Sequence, residues 1–176
     1  MATEKSFSEI GKAFDETSKD LLQAVSSFSE EEFNEIPFEG SWSAAQVADH
    51  LRKSLKGTGK ILYADVRPTE RKFDENVEGL KSIFLNFDIK FKSAEAILPS
   101  DEPLEKQFIY QNLKEACEVI SKAVNELDLS FTCPIPFPKM GELTRYEWIS
   151  LATFHTQRHI RQMKKIKEHL KAAALK

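Results

Sequence analysis

Apolar residues recur at steps of three and four along most of this chain, the spacing that places them on one face of an α-helix. The first stripe runs for about six turns. Its members are Phe7, Ile10, Phe14, Thr17, Leu21, Ala24 and Phe28. After it, Ser29 followed by Glu32 forms a capping-box pattern, which predicts one more short helical turn before Pro37 and Gly40.

A second helix is predicted to begin at Ser43, because Ser43 and Gln46 form another capping box. Its inward face is predicted to contain Val47, His50, Leu51, Ser54, Leu55 and Leu62. His50 is therefore expected within the buried stripe or at its edge.

Residues 65–102 form a long connection with only a weak helical pattern at Val77, Leu80 and Phe84. Connections of this length usually carry extra structure or line a site. Such a crossover also allows the second and third helices to run parallel. The third helix is predicted to open at Asp101 and Pro103. Its predicted apolar side contains Leu104, Phe108, Cys117, Ile120, Val124 and Leu127.

The fourth helix has the strongest start signal, a capping box formed by Thr144 and Glu147. Residues 129–142 before it are rich in proline and cannot be helical, and no segment shows the alternation typical of a strand. The predicted apolar stripe of the fourth helix contains Trp148, Ala152, His155, His159, Gln162, Ile166 and Leu170. The pattern predicts one all-α domain over residues 1–176, a four-helix bundle with one long crossover.

The composition favours no charged macromolecular partner. The net charge of −3 gives no general attraction to nucleic acid or to anionic membranes. No apolar run is long enough to span a bilayer. Two cysteines and a polar, amphipathic beginning favour a cytoplasmic protein without a disulfide framework.

Three of the four histidines are candidate metal ligands. His155 and His159 stand four residues apart on one helix face, and His50 is expected to face them from the second helix. Three neutral imidazoles could hold one divalent ion and leave positions open for water or substrate. Buried histidines that simply satisfy their hydrogen bonds are the alternative, and periodicity alone does not decide between the two. His169 is expected at the surface.

Four further side chains have less certain roles. Asp49 is interpreted as a solvated carboxylate or as a partner of a metal ligand, and Gln162 as a partner of His159 or as packing. Cys117 is predicted to be a small core residue, whereas Cys133 is expected to be more exposed. No catalytic residue is identified among them.

Three segments resemble the DinB/YfiT-like superfamily. Residues 40–51, GSWSAAQVADHL, resemble its second helix, with the pattern W-S-x-x-x-V-x-x-H-L. Residues 141–148, GELTRYEW, and 154–162, FHTQRHIRQ, resemble the start and middle of its fourth helix. The resemblance extends in order and spacing over essentially the whole chain.

The resemblance implies an up-down-down-up bundle that binds a divalent metal through His50, His155 and His159. Zinc or nickel is the expected ion, and a homodimer is the expected assembly. Characterised members of the superfamily include S-transferases and isomerases that use bacillithiol, mycothiol or glutathione. The implied cofactors are thus the metal and a low-molecular-weight thiol.

Three functions follow as hypotheses. The first is a metal-dependent S-transferase that activates a thiol, and the second is a hydrolase that uses metal-bound water. The third is a non-catalytic bundle that binds a small molecule or a protein partner. For an enzyme, the substrate is expected to be a small, rather apolar molecule. Residues 65–102 and the proline-rich segment near Phe137, Pro138 and Met140 are expected to border the mouth of the site.

Overall fold

Six α-helices contain most of the residues that the computed structural model describes, which are 2–90 and 92–175. They are α1 (Ala2–Ser26), α2 (Glu30–Asn34), α3 (Ala44–Leu62), α4 (Val77–Phe84), α5 (Lys106–Glu126) and α6 (Arg145–Ala174). Strands β1 (Thr132–Phe137) and β2 (Gly141–Thr144) form a hairpin, and Glu95–Ile97 form a 3-10 turn. Within this part of the chain, no helix has the length and apolar content needed to cross a membrane.

Three helices begin where capping boxes were predicted. In each, the cap hydroxyl accepts a hydrogen bond from the backbone N–H three residues on, and that residue's side chain accepts one from the cap's own N–H. The pairs are Ser29 with Glu32, Ser43 with Gln46 and Thr144 with Glu147. Local sequence therefore sets the first residue of α2, α3 and α6.

Helices α1 and α6 run side by side in the same direction. The rings of Phe7 and Tyr146 lie 6.0 Å apart near the start of both helices. Further along, Gln157 Nε2 donates a hydrogen bond to Thr17 Oγ1 at 3.2 Å. The early residues of one helix thus meet the early residues of the other.

Helices α3 and α5 form the second parallel pair, which the long crossover between them permits. Lys56 Nζ donates to Asn112 Oδ1 at 2.9 Å, and Tyr63 at the end of α3 donates to Glu126 at the end of α5. The Arg145 guanidinium at the start of α6 donates to the carbonyl of Leu62, near the end of α3. Helix α6 therefore runs opposite to α3.

The predicted stripes of the first, second and fourth helices enclose one apolar core. Its largest fully buried side chains are Phe14, Leu21, Phe33, Leu51, Leu55, Leu62, Leu80, Ile109, Leu113, Ile120, Leu129 and Leu143. Burial on this scale, at about 25 cal/mol per Å² of apolar surface, is the main favourable term in folding.

The third bundle helix begins later than predicted, at Lys106 rather than at Asp101 and Pro103. The Asn34 side chain accepts a hydrogen bond from the backbone N–H of Leu104 at 2.8 Å and donates to its carbonyl at 2.9 Å. This clamp holds the chain extended until Glu105, where ψ is 121°. The predicted stripe is wrong at Phe108, which is 53% exposed. The core positions there are Ile109 and Leu113.

The prediction that the chain contains no strands is wrong for the proline-rich segment. Strands β1 and β2 pair antiparallel, with Thr132 opposite Thr144 and Phe137 opposite Gly141. The register shifts between Thr132 and Pro136, as expected where proline cannot donate to a ladder. Gly141 has a φ of 72°, a conformation that a glycine adopts without strain. Two very short strands give little periodic signal.

The crossover is fastened to the start of α6 by a buried carboxylate. Glu147 is fully buried, and both of its oxygens accept hydrogen bonds from Arg71, at 2.7 and 2.6 Å. They also accept the backbone N–H of Asn76 at 2.7 Å and that of Thr144 at 2.9 Å. The weak pattern at residues 77–84 is confirmed as α4, which this carboxylate anchors against α6.

Candidate metal centre

The three predicted histidines meet in one buried cluster between α3 and α6. Nε2 of His155 lies 3.0 Å from Nε2 of His50 and 3.0 Å from Nε2 of His159. The three residues are 2–9% exposed. Among the described residues, they form a set whose nitrogens are close enough to hold one metal ion.

The far nitrogen of His50 is fixed by the crossover. Its Nδ1 lies 2.8 Å from the carbonyl oxygen of Ile97, the last residue of the 3-10 turn. A carbonyl oxygen only accepts hydrogen bonds, so Nδ1 carries the proton and Nε2 has a free lone pair facing the cluster. Trp42 lies against the same ring, with centroids 5.2 Å apart.

The other two rings are held by side chains. Nδ1 of His159 donates to Gln162 Oε1 at 2.7 Å, and Nδ1 of His155 lies 3.3 Å from Ser54 Oγ. Gln162 was predicted as a partner of His159 or as packing, and the contact supports the first alternative. In metal-binding histidines such a partner sets the tautomer and the orientation of the ring.

The donor set fits a divalent ion better than it fits an empty core. Because the Nδ1 atoms of His50 and His159 donate outward, their Nε2 lone pairs both point at Nε2 of His155. One proton on His155 can satisfy only one of these two contacts at a time. Nitrogens at right angles around an octahedral divalent ion, each about 2.1 Å from it, lie about 3.0 Å apart, whereas a tetrahedral zinc ion would space them about 3.4 Å apart. The observed spacings of 3.0 Å match the octahedral value.

Asp49 departs from the sequence interpretation of a solvated carboxylate, since it is only 1% exposed. It forms ion pairs with Arg52 and Lys53, at 2.6 and 3.0 Å, and accepts the backbone N–H of Ser100 at 3.1 Å. Burial by itself would raise the pKa of Asp49, but the hydrogen bonds from Arg52 and Lys53 lower it. Asp49 thus fastens the end of the crossover to α3.

Burial keeps the cluster neutral. Burial lowers the pKa of His159 to about 3, with a smaller contribution from His50. Burial and the charges of His159 and His50 lower the pKa of His155 well below its usual range. The pKa of His50 is also lowered by burial, although its hydrogen bond to Ile97 opposes this. Neutral imidazoles are the form that binds metal.

These shifts predict that the metal-free protein loses stability as the pH falls. The pKa of a histidine in the unfolded chain is about 6.5, whereas burial lowers the pKa of folded His159 to about 3. Between these values the unfolded chain binds a proton that the folded chain does not. The free energy of unfolding should therefore fall by about 1.4 kcal/mol per pH unit for each such histidine. Urea unfolding in EDTA between pH 7 and pH 4 measures this, and H159A should show a shallower slope. An equal slope in H159A would contradict the prediction.

Aromatic rings close one side of the cluster. The ring of Phe84, at the end of α4, lies 5.5 Å from that of His155. Phe137 of the hairpin packs against Phe84 and against Trp148, at 6.2 and 5.9 Å. The proline-rich segment thus supports the site from behind the Phe84 ring.

A cavity of about 540 Å³ lies beside the cluster. Its described lining comes from Phe38 and residues 40–42, from the crossover and from α6. The crossover contributes Phe87, Lys90, Ser93 and Leu98 to this lining, and the hairpin residues Phe137, Pro138 and Met140 are not part of the described lining. Trp42 and Gln162, which contact His50 and His159, form part of its wall.

The remaining candidates lie outside the cluster. Cys133 was expected to be more exposed but is fully buried, and burial raises the pKa of its thiol to about 11. Cys117 is a buried core residue, as predicted. His169 lies at the surface, with its ring 5.1 Å from that of Phe38.

Sequence reasoning missed two partners of the cluster. Ser54 was placed on the inner face of its helix, and its position one turn after His50 is the only signal that it could reach the site. The Ile97 carbonyl has no sequence signal, because every residue carries one.

The chain is similar to known proteins over most of its length. The sequence profile of the DinB superfamily matches residues 13–163. The uncharacterized protein YuaE of Bacillus subtilis (strain 168) is 27% identical over 161 residues, which cover 91% of this chain and 98% of YuaE. The crystal structure of TT2238, a four-helix bundle protein, has a TM-score of 0.60 and 18% identity. The structural match covers 90% of this chain and 98% of TT2238 and confirms the bundle fold. By the extent of the profile match, this chain belongs to the DinB superfamily.

Proposed function

We propose that the protein is a metal-dependent enzyme that transfers a low-molecular-weight thiol to a small electrophilic substrate. One observation carries the proposal: three buried Nε2 atoms converge while each Nδ1 has its own hydrogen-bond partner. His50, His155 and His159 would hold zinc or nickel, ions that suit imidazole ligands.

When bound, the metal would supply Lewis-acid chemistry: with only neutral ligands it would retain its 2+ charge and would lower the pKa of a bound thiol or water. The residues of the chain orient and shield that site. Ile97, Ser54 and Gln162 fix the imidazole planes, and the Phe84 ring covers His155. Water exclusion of this kind strengthens the electrostatic interactions inside.

The surroundings favour a thiol over water as the nucleophile. Asp49, the carboxylate adjacent to His50, is committed to Arg52 and Lys53 and is not placed to take a proton from water. A thiol whose pKa is lowered into the neutral range needs no such base, because the thiolate is itself the nucleophile.

Cobalt substitution tests the proposal. The metal-free protein is reloaded with Co²⁺ and titrated with cysteine and with glutathione. A sulfur-to-metal charge-transfer band that saturates at one thiol per site is the expected result. A protein that binds no divalent ion, or a cobalt spectrum that no thiol alters, would overturn the proposal.

Gln162 is predicted to tune the affinity for the ion. Replacing it with leucine removes the acceptor of His159 Nδ1, and loss of such a partner typically weakens metal binding by about 10–100-fold. Competition with a zinc-binding dye measures the change. Gln157 offers a matched control, since it lies on the same helix but contacts Thr17 instead. Q157L should keep the wild-type affinity, and an equal loss in both variants would show that Gln162 has no special role.

A further inference from the structure

The cavity beside the cluster is lined by cations. Lys90, Arg158, Arg161 and Lys165 contribute to its wall, and its described lining contains no carboxylate. The chain as a whole carries a net charge of −3, so this positive surface is local. Among residues 2–90 and 92–175, no ion pair includes Lys90, Arg161 or Lys165. A concave surface of one sign concentrates ions of the other sign.

Arg158 builds the wall of this cavity. Its guanidinium donates hydrogen bonds to the carbonyls of Phe84, Asn86 and Ile89. These bonds hold the segment after α4 against α6. They position Phe87, whose ring lies 4.2 Å from the Arg161 guanidinium carbon. A cation stacked on an aromatic face at this distance is held in place before any ligand arrives.

The same cavity exposes large apolar side chains. Phe38, Phe87 and Leu98 line it and are 52%, 41% and 45% exposed. Single exposed apolar residues are ordinary, but three around one concave surface, bordered by charge, are typical of a ligand site.

We infer that this cavity binds an organic anion, a carboxylate or phosphate attached to an apolar body. The acid group lies against Arg161 and Lys165, and the apolar body lies on Phe38, Phe87 and Leu98. Trp42 and Gln162 in the wall connect this cavity to the cluster, because they contact His50 and His159. The inference rests on the proposed function in one respect: it assigns the electrophilic substrate to the class of amphiphilic acids.

A matched pair of fluorescent probes tests the inference. Anilinonaphthalene sulfonate is an apolar anion, and N-phenyl-1-naphthylamine has the same ring system without the charge. Replacing Arg161 and Lys165 together with alanine should weaken sulfonate binding by about tenfold or more and leave the neutral probe within about twofold, since charge-assisted hydrogen bonds discriminate by charge. Equal losses for both probes, or no loss for either, would overturn the inference.

The control variant replaces Lys114 and Lys122 with alanine. It removes the same charge from the exposed face of α5, where both lysines pair with glutamates. It should bind both probes as the wild-type protein does. A loss of sulfonate binding equal to that of the Arg161 and Lys165 variant would show that net charge alone governs binding, and would overturn the site.

Displacement identifies the acid group. Octanoate, octyl phosphate and octanol share one chain and differ only in the head group. Displacement of the sulfonate probe by octanoate, by octyl phosphate or by both supports the inference and names the head group. Displacement by octanol as strongly as by the acids, or by none of the three, overturns it.

The inference and the proposed function can fail separately. H155A removes a proposed metal ligand but no cavity residue, so it should retain charge-dependent sulfonate binding. Loss of that binding in H155A, with the fold intact by circular dichroism, would count against a preformed anion site. A cobalt protein that ignores thiols but binds the sulfonate selectively would refute the proposed function alone. A cobalt protein that responds to thiols but does not bind the sulfonate selectively would refute the inference alone.

Discussion

Replacing His155 with alanine should leave the purified protein with less than about a tenth of an ion per chain, against about one in the wild-type protein. His155 is the central residue of the cluster and would be the central ligand, since its Nε2 lies 3.0 Å from the Nε2 of both His50 and His159. Loss of a partner of a ligand typically costs about 10–100-fold in metal affinity, so loss of the ligand itself should cost about a thousandfold or more. Elemental analysis and competition with a zinc-binding dye measure the two quantities.

Exposed His169 provides the control. H169A should retain the ion, and a chelator should lower its melting temperature as much as it should lower that of the wild-type protein, because an ion that binds only the folded state stabilises it. The melting temperature of H155A should not respond to the chelator. The metal assignment would be wrong if H155A bound zinc as tightly as H169A.

Replacing Glu147 with alanine should lower the free energy of unfolding by about 3–5 kcal/mol, the usual cost of removing one partner of a buried ion pair. The fully buried carboxylate accepts hydrogen bonds from Arg71 and from the backbone N–H groups of Asn76 and Thr144. In E147A the two backbone N–H groups lose this acceptor, and Arg71 keeps only its hydrogen bonds to the carbonyls of Lys72 and Glu142. Domains of this kind have a total stability of about 5–15 kcal/mol, so the loss is large. Urea unfolding of the metal-free protein measures it.

Glu142 is the matched control. It lies five residues before Glu147 and forms an ion pair with Arg67 at the protein surface. Surface ion pairs contribute about 0–1 kcal/mol, and E142A should change the stability by no more than this. Equal effects of E147A and E142A would show that the buried pair does not hold the crossover to α6.

The helix starts and the pairing of His155 with His159 were readable because each depends on neighbours in sequence. Ser43 with Gln46 and Thr144 with Glu147 act over three residues, and the spacing of His155 and His159 alone places both on one helix face. The stripe in which they stand then turns them towards α3. Local rules of this kind transfer directly from sequence to structure.

The features that were missed depend on contacts between distant parts of the chain. The start of α5 is delayed by Asn34, which lies 70 residues before Leu104. Asp49 is buried because the crossover folds over it, and its own sequence neighbourhood gives no sign of that. The amphiphilic lining of the cavity likewise exists only after residues 38–42, the crossover and α6 have come together.

The acceptor of His50 Nδ1 is a backbone carbonyl, that of Ile97, and not a side chain. A side-chain partner can be lost in a single substitution, whereas a peptide carbonyl is present whatever residue occupies the position. Substitutions along this part of the crossover can therefore accumulate without loosening the imidazole, provided that the backbone keeps its path. The crossover also lines the cavity. Replacing crossover side chains would therefore change the lining of the cavity without removing the acceptor of His50 Nδ1.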